Sequence, residues 1–273
     1  AGDHTNELTR YWYDGALVVD ATPIAKYGMM SNAAGYSYVV ATTQMAPSPG
    51  SLTWSGGAGP ASPQWSNGFN WVGGLPPANP AVGTLTFGNA GIASAMDQAW
   101  TVGGVAHLRT DGSNAIMDLQ GGSLVATGAL RVACPALTQT SSGGAVITNG
   151  LVTIGTASAG GNLSVALFSG TAHYQGYAAG SLTFTKGTAL EASYLKDVYV
   201  GRGDTNSAHP TAQIIGMLDL QNETITNGLW RCSKLVMGDG RPPAGSRDEG
   251  RVKLGQPNGL TDLVVLSLLG IGG

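Results

Sequence analysis

Met117-Asp118-Leu119-Gln120-Gly121-Gly122-Ser123-Leu124 returns about a hundred residues later as Leu218-Asp219-Leu220-Gln221-Asn222-Glu223-Thr224-Ile225. In both copies apolar and polar residues alternate, the period of a strand with one buried face. A turn follows, and a small hydroxyl residue leads into the next apolar position. Related fragments are Gly150-Leu151-Val152-Thr153-Ile154-Gly155 and Val252-Lys253-Leu254-Gly255. Short strands recurring between turns predict one unit of a stacked β architecture used several times.

A longer unit also repeats. Val198-Tyr199-Val200-Gly201-Arg202-Gly203, a polar loop and Met217-Leu218-Asp219-Leu220 match Leu235-Val236-Met237-Gly238-Asp239-Gly240, a polar loop and Val252-Lys253-Leu254. Leu130-Arg131-Val132 followed by Ala145-Val146-Ile147 is a looser third copy. Matched strands with unequal loops are expected of a solenoid, because insertions leave at one corner of a coil. A β-sandwich has regular short strands too, but gives no reason for phrases to repeat. The fold class expected is all-β, a β-solenoid with an N-terminal cap.

The chain has 273 residues, enough for a large core, and is 42% hydrophobic, so it is expected to fold. Charged residues are only 11%, against roughly 25% in an ordinary soluble domain. Its surface must be polar mainly through hydroxyls, amides and backbone, which suits a secreted protein or one packed in an assembly. Net charge is −3 and the 13 basic residues are scattered, which argues against a nucleic-acid partner. No apolar run approaches the ~20 residues of a membrane-spanning helix. No signal-peptide core is present, as expected of a mature exported chain. Cys134 and Cys232 have no metal spacing and read as either a disulfide or two buried thiols.

Four segments follow from composition. Residues 1–46 form an opening extension, with a short helix expected at Asn6–Trp12, strands at Ala16–Val19 and Tyr36–Val40, and a linker at Ala46-Pro47-Ser48-Pro49-Gly50. Residues 47–82 are rich in Trp, Pro and Gly and read as irregular loops pinned by aromatic side chains. Residues 83–259 carry the strand repeats, with Asn-Gly turns at Asn149-Gly150, Asn227-Gly228 and Asn258-Gly259. Residues 260–273 contain the most apolar stretch, Leu263-Val264-Val265-Leu266-Ser267-Leu268-Leu269-Gly270-Ile271. Charge is uneven: between Ala21 and Met96 the only charged residue is Lys26, whereas Glu191 to Asp262 holds 17 of 29.

The run Leu52-Thr53-Trp54-Ser55-Gly56-Gly57, Trp65-Ser66-Asn67, Asn70-Trp71, Gly74-Leu75-Pro76 and Leu85-Thr86-Phe87-Gly88 resembles the opening of a bacterial family. These are the Gly-rich β-strand-repeat passenger proteins, autotransporter-like and PEP-CTERM-type exported proteins. The resemblance implies a right-handed, surface-associated β-solenoid of the kind found in adhesins and extracellular matrix.

No catalytic constellation stands out, and no cofactor is expected. Asp118 and Asp219 hold equivalent places in the repeated phrase and are the candidate carboxylate pair for a polysaccharide-cleaving β-helix. Outward polar positions on strands are the simpler account. Asp239, Asp248 and Glu249 share a loop with arginines and are weak Ca²⁺ candidates, against a solvated salt-bridged loop. Histidines 4, 107, 173 and 209 show no metal spacing. Trp54, Trp65 and Trp71 either line a sugar-binding surface or, as preferred, cap the first coil. Leu263, Val264, Val265, Leu266, Leu268 and Leu269 form a last strand, either simply buried or completing a neighbouring subunit. The function expected is a non-enzymatic structural protein, extracellular or on the cell surface, that self-associates into a filament, adhesin or biofilm matrix. A carbohydrate-binding or carbohydrate-cleaving β-helix is the alternative, with a polysaccharide as partner.

Overall fold

The computed structural model describes residues 25–31, 37–43, 47–88, 93–108, 112–134, 141–167, 177–185, 187–203, 213–220, 224–238, 247–254 and 262–271. The chain separates into two compact units, Ala1–Pro47 and Ser48–Gly273. In the first, β1 (Ala25–Ser31) and β2 (Ser37–Thr43) form an antiparallel pair with Met29 opposite Val39. The helix expected at Asn6–Trp12 and the strand at Ala16–Val19 lie outside the described residues.

Among the described residues the regular elements of the second unit are strands, apart from one 3₁₀ turn at Gly68–Asn70. In chain order they are β3 (Leu52–Trp54), β4 (Ala81–Phe87), β5 (Ser94–Ala95), β6 (Trp100–His107), β7 (Ala115–Asp118) and β8 (Ser123–Val132). Next come β9 (Ser141–Ser142), β10 (Ala145–Thr148), β11 (Gly150–Ile154), β12 (Gly161–Leu167), β13 (Tyr177–Phe184), β14 (Thr188–Ala192) and β15 (Leu195–Arg202). The last four are β16 (Gln213–Leu220), β17 (Thr224–Met237), β18 (Arg247–Leu254) and β19 (Asp262–Ile271).

Two sheets result, and their named strand pairs are parallel. The seven-stranded sheet runs β5-β7-β10-β13-β16-β18, with the short β9 beside β13. The ten-stranded sheet begins at β3-β4-β6-β8, continues through β11 and β12, then β14 and β15, and ends at β17 and β19. From β5 onward the chain alternates between the sheets. Each return lays a strand parallel to, and beside, the one laid in the previous round. Such parallel strands, buried on one face, stack like positions into columns.

Those columns form the core. In the seven-stranded sheet Ala115, Ala145, Leu182 and Leu218 are level, and all are buried. In the ten-stranded sheet Val105, Leu130, Leu163 and Val198 are level, as are His107, Val132, Val165 and Val200. All eight are under 2% exposed, so the two sheets enclose one continuous core. Each buried Leu or Val contributes about 1.5–3 kcal/mol relative to exposure.

The longer repeat is hydrogen-bonded to its own copy: Val198 is level with Leu235, Val200 with Met237, Leu218 with Val252 and Leu220 with Leu254. The short phrase behaves differently. Asp118 is level with Thr148, whereas Asp219 is level with Thr183, itself level with Val146 and Ile116. The two phrases thus share a sheet and a facing, but sit two positions apart. A shift of two preserves which face is buried, so the hydrophobic pattern tolerates it.

Two local expectations are corrected. Pro47–Gly50 is no free linker, because Ser48 N donates to Pro76 O at 3.0 Å and Ala78 N to Ser48 O at 2.8 Å. Asn227-Gly228 lies inside β17, where the register with β14 shifts, so the pair relaxes a bulge rather than reversing the chain. By contrast Asn149 does turn a corner, at φ 56° between β10 and β11. Asn258-Gly259 lies outside the described residues.

The sheets converge along one seam. After the column Val132, Val165, Val200, Met237, the next residue in each strand is left-handed: Ala133 (φ 51°), Ala166 (51°), Gly201 (64°) and Gly238 (61°). Facing them, Gly180, Gly216 and Gly250 are level with one another in the other sheet. A Cβ on Gly250 would lie 2.1 Å from Val200 O, and one on Gly201 would lie 1.7 Å from Glu249 O. At Gly201 and Gly250 backbone meets backbone, with no room for a side chain.

Gly201→Ala should therefore destabilise the second unit by about 3 kcal/mol, adding left-handed strain to overpacking. Ala133→Gly should change stability by less than about 0.5 kcal/mol, since relieved strain offsets the added chain entropy. Denaturant midpoints of the two variants check both values. Equal effects would show that the seam does not constrain the sheets.

Candidate functional site

The two ends of the sheets differ, and the difference begins in the sequence around Trp54. At the first end, which we term the head, irregular chain fills the strand edges. Pro49 O accepts from Val82 N (3.1 Å) and Gly83 N (3.0 Å), and Ser51 Oγ accepts from Thr84 N (3.0 Å). Pro63 O accepts from Ala95 N at 2.9 Å, and Trp65 N donates to Ala95 O at 3.0 Å. Proline carbonyls suit this work because the residue offers an acceptor without a donor needing its own partner.

Aromatic packing holds that cover in place. Trp54, Trp65 and Trp71 are buried, at 3%, 0% and 2% exposure, and therefore offer no surface for sugar stacking. Trp54 meets Trp71 edge-on at 5.2 Å, and Trp65 lies 5.2 Å from Phe87 and 5.6 Å from Trp100. Trp71 Nε1 donates to Trp65 O at 2.8 Å. Asn70, fully buried, ties the loops: its Nδ2 donates to Ser62 O (2.7 Å) and Gln64 O (3.0 Å), and its Oδ1 accepts from Ala58 N (3.1 Å). The Asn-Trp pair is thus a loop clamp beside an aromatic wedge.

Sequence reasoning missed His107. It continues the aromatic stack, 5.2 Å from Phe87 with planes 19° apart, and is 1% exposed. Neither ring nitrogen has a hydrogen-bond partner among the described residues. Burial lowers its pKa to about 3, so the ring is neutral. The signal lay in its position level with Phe87 and Val132. That registry is invisible without knowing which strands pair.

The candidate carboxylates do not converge. Asp118 Oδ1 accepts from Gln120 N at 2.9 Å and from Asn149 Nδ2 at 3.2 Å, bracing a corner where Gln120 is left-handed. Asp219 pairs with Lys253 Nζ at 3.5 Å. Asp239 lies outside the described residues, as does the side chain of Asp248, while Glu249 pairs with Arg251. Among the described residues no group of three His, Cys, Asp or Glu is placed to hold a metal.

Cys134 and Cys232 are both free thiols. Cys134 follows the end of β8 and Cys232 lies on β17, with β12 and β15 between, about 14 Å of strand spacing, too far for a bridge. The Cys134 Sγ lies 3.3 Å from Val132 O and accepts from Leu167 N at 3.4 Å; burial raises its pKa to about 11. Burial also raises that of Cys232. Both are protonated at neutral pH, so neither is a poised nucleophile.

The other end, the tail, consists of β18 and β19. Each has one neighbouring strand, β16 and β17 respectively, so both sheets finish here on an unpaired edge among the described residues. Leu263 is level with Trp230, Val264 with Arg231, Val265 with Cys232 and Leu268 with Leu235. Leu266 and Leu269 fall within the same strand, whose side chains lie outside the described residues. No helix among the described residues is long and apolar enough to cross a membrane. No family model, no curated protein and no solved structure matches this chain.

The buried histidine makes stability depend on pH. Between pH 6.5 and about 3 the unfolded chain binds a proton that the native ring refuses, so stability falls as pH falls through this window. The slope from this group is about 1.4 kcal/mol per pH unit. Denaturant titrations of the native chain and His107→Phe at pH 7, 6, 5 and 4 should diverge by that slope below pH 6.5. Parallel curves would mean that His107 charges within the fold.

Proposed function

We propose that this chain is an exported structural protein, a right-handed β-solenoid closed at its head, that self-associates through its tail at an outer surface. The observation that carries this reading is the contrast between ends: irregular chain fills both sheet edges at the head and, among the described residues, neither at the tail. Unpaired strand edges are templates for a further strand. The alternation of the chain between sheets, each return level with the last, supports the solenoid form. The resemblance to bacterial Gly-rich strand-repeat passenger proteins supports export and a role at the cell surface, in an adhesin or biofilm matrix. The role is non-enzymatic in this reading, with Asp118 bracing a turn and Asp219 pairing along its sheet. Sedimentation of the purified chain across a wide concentration range should reveal species heavier than the monomer. Dispersed monomers at every concentration, also in negative-stain images, would overturn the proposal.

A polysaccharide partner is a second reading, favoured by Tyr199. Its half-buried ring lies 4.8 Å from the Arg202 guanidinium and 5.5 Å from Lys234 Nζ, and its hydroxyl donates to Asp197 Oδ2 at 3.1 Å. An aromatic ring flanked by two cations suits an acidic sugar. Retention of the chain on an immobilised uronate polymer should then weaken at least tenfold in Tyr199→Ala. Unchanged retention, or none by the native chain, removes this reading.

A further inference from the structure

We propose that the tail joins two copies of this chain about a two-fold axis, β18 to β18 and β19 to β19, so that assembly through it stops at a pair. The inference rests on the self-association reading above and names its joint. Three observations carry it.

Growth into a chain of copies through these edges needs a head that accepts a tail. Here Trp71 and Val72 already occupy the head edge of β3, Val72 N donating to Thr53 O at 2.8 Å, and Pro63 and Trp65 bond that of β5. Between the two described ends of the second unit, a tail edge is therefore left with another tail edge to pair with, and a surface that meets its own copy closes by two-fold symmetry.

The last rung is also apolar at register positions that are polar in the strand before it. In β17 the outward Arg231 and Ser233 are exposed. Level with Arg231 in β19 is Val264, and Leu266 falls between the pairs Cys232–Val265 and Lys234–Ser267, opposite Ser233. Positions that are polar one rung earlier become apolar at the edge, as expected of a strand covered beyond its own sheet.

Charge along β18 fits a reversed copy. Apart from Arg247 at its start, the strand is acidic at positions 248 and 249 and basic at 251 and 253. An antiparallel partner sets its acidic half against the basic half of the first, twice over. A parallel partner in register would set like charges level, which opposes pairing.

Light scattering of the full chain should give a mass that rises to twice the monomer and stops there as concentration increases. Val264→Lys combined with Leu266→Lys should hold the chain monomeric with an unchanged far-ultraviolet circular dichroism spectrum, since the preceding rung bears exposed polar residues at both levels. A second measurement does not depend on a variant folding. Zero-length carbodiimide cross-linking of mixed ¹⁴N and ¹⁵N chains should yield hybrid peptides joining position 248 or 249 to Lys253. Masses climbing in a ladder, or hybrid peptides joining head to tail, would overturn the closed pair while leaving self-association standing. Monomers throughout would overturn both readings. Pairing only after removal of residues 1–47 would overturn the proposal too, assigning the tail edge to the chain's own first unit.

Discussion

Everything in the second unit depends on how closely its two sheets approach at one seam. There Ala133, Ala166, Gly201 and Gly238 turn left-handed, and Gly180, Gly216 and Gly250 stand opposite. The N–H of the turning residue stays in the ladder: Ala133 N donates to His107 O at 2.9 Å and Gly238 N to Val200 O at 3.0 Å. The corner therefore bends the chain without orphaning a backbone donor. A wider corner would pull Leu182 and Leu218 away from Leu163 and Val198, and the apolar core would open into voids. Two alanines in the left-handed column show that conformational strain is tolerable there. The opposing column shows that a side chain is not, wherever the other strand's carbonyl is the neighbour.

This explains which repeats in the sequence were informative. Val198 to Gly203 and Leu235 to Gly240 include a seam position, so their spacing is fixed by a backbone approach and the copies are level. The Asp-Leu-Gln phrases include none. They end at the opposite corner, where Gln120, Asn149 and Gly187 are left-handed by different local means, and a slip of two residues costs little. The all-β class and the burial of Trp54, Trp65 and Trp71 were legible from alternation and from Gly and Pro. What was illegible is what register alone decides: His107 beneath Phe87, Asp118 and Asp219 on separate levels, and Cys134 three strands from Cys232. Alternation specifies a face, and a face is shared by every second residue.

The head shows what closing a stack of strands requires. A sheet edge is a row of donors and acceptors, and an apolar core beneath it must also be shielded. Here the two tasks are divided. Carbonyls of Pro49 and Pro63 and the hydroxyl of Ser51 meet the edge, while Trp54, Trp65, Trp71 and Phe87 roof the core. The roof sacrifices hydrogen bonds to do so, since Nε1 of Trp54, Trp65 and Trp100 and both nitrogens of His107 have no partner among the described residues. Each such group forfeits roughly 1–3 kcal/mol, so the roof is stable only because large rings bury much area each. Among the described residues the tail has neither carbonyl nor ring in this arrangement, and a strand alone cannot perform both tasks.

The scarcity of charge has a cause in this geometry, separate from any assembly. Parallel strands in register set the same position of successive rounds about 4.8 Å apart. Two like charges so placed would repel by up to about 3 kcal/mol near a protein surface. Among the described registers no like charges are level: Asp197 lies beside Lys234, Asp219 beside Lys253, Arg131 beside Ser164 and Glu191 beside Thr153. An outward column accepts a charge only if its neighbours are neutral or opposite, and each added round lowers the number of places left. A chain of such columns drifts toward hydroxyls, amides and alanine whether or not it meets a partner. Low charge by itself therefore reports the stacking of strands, and self-association has to be argued from the unpaired edge.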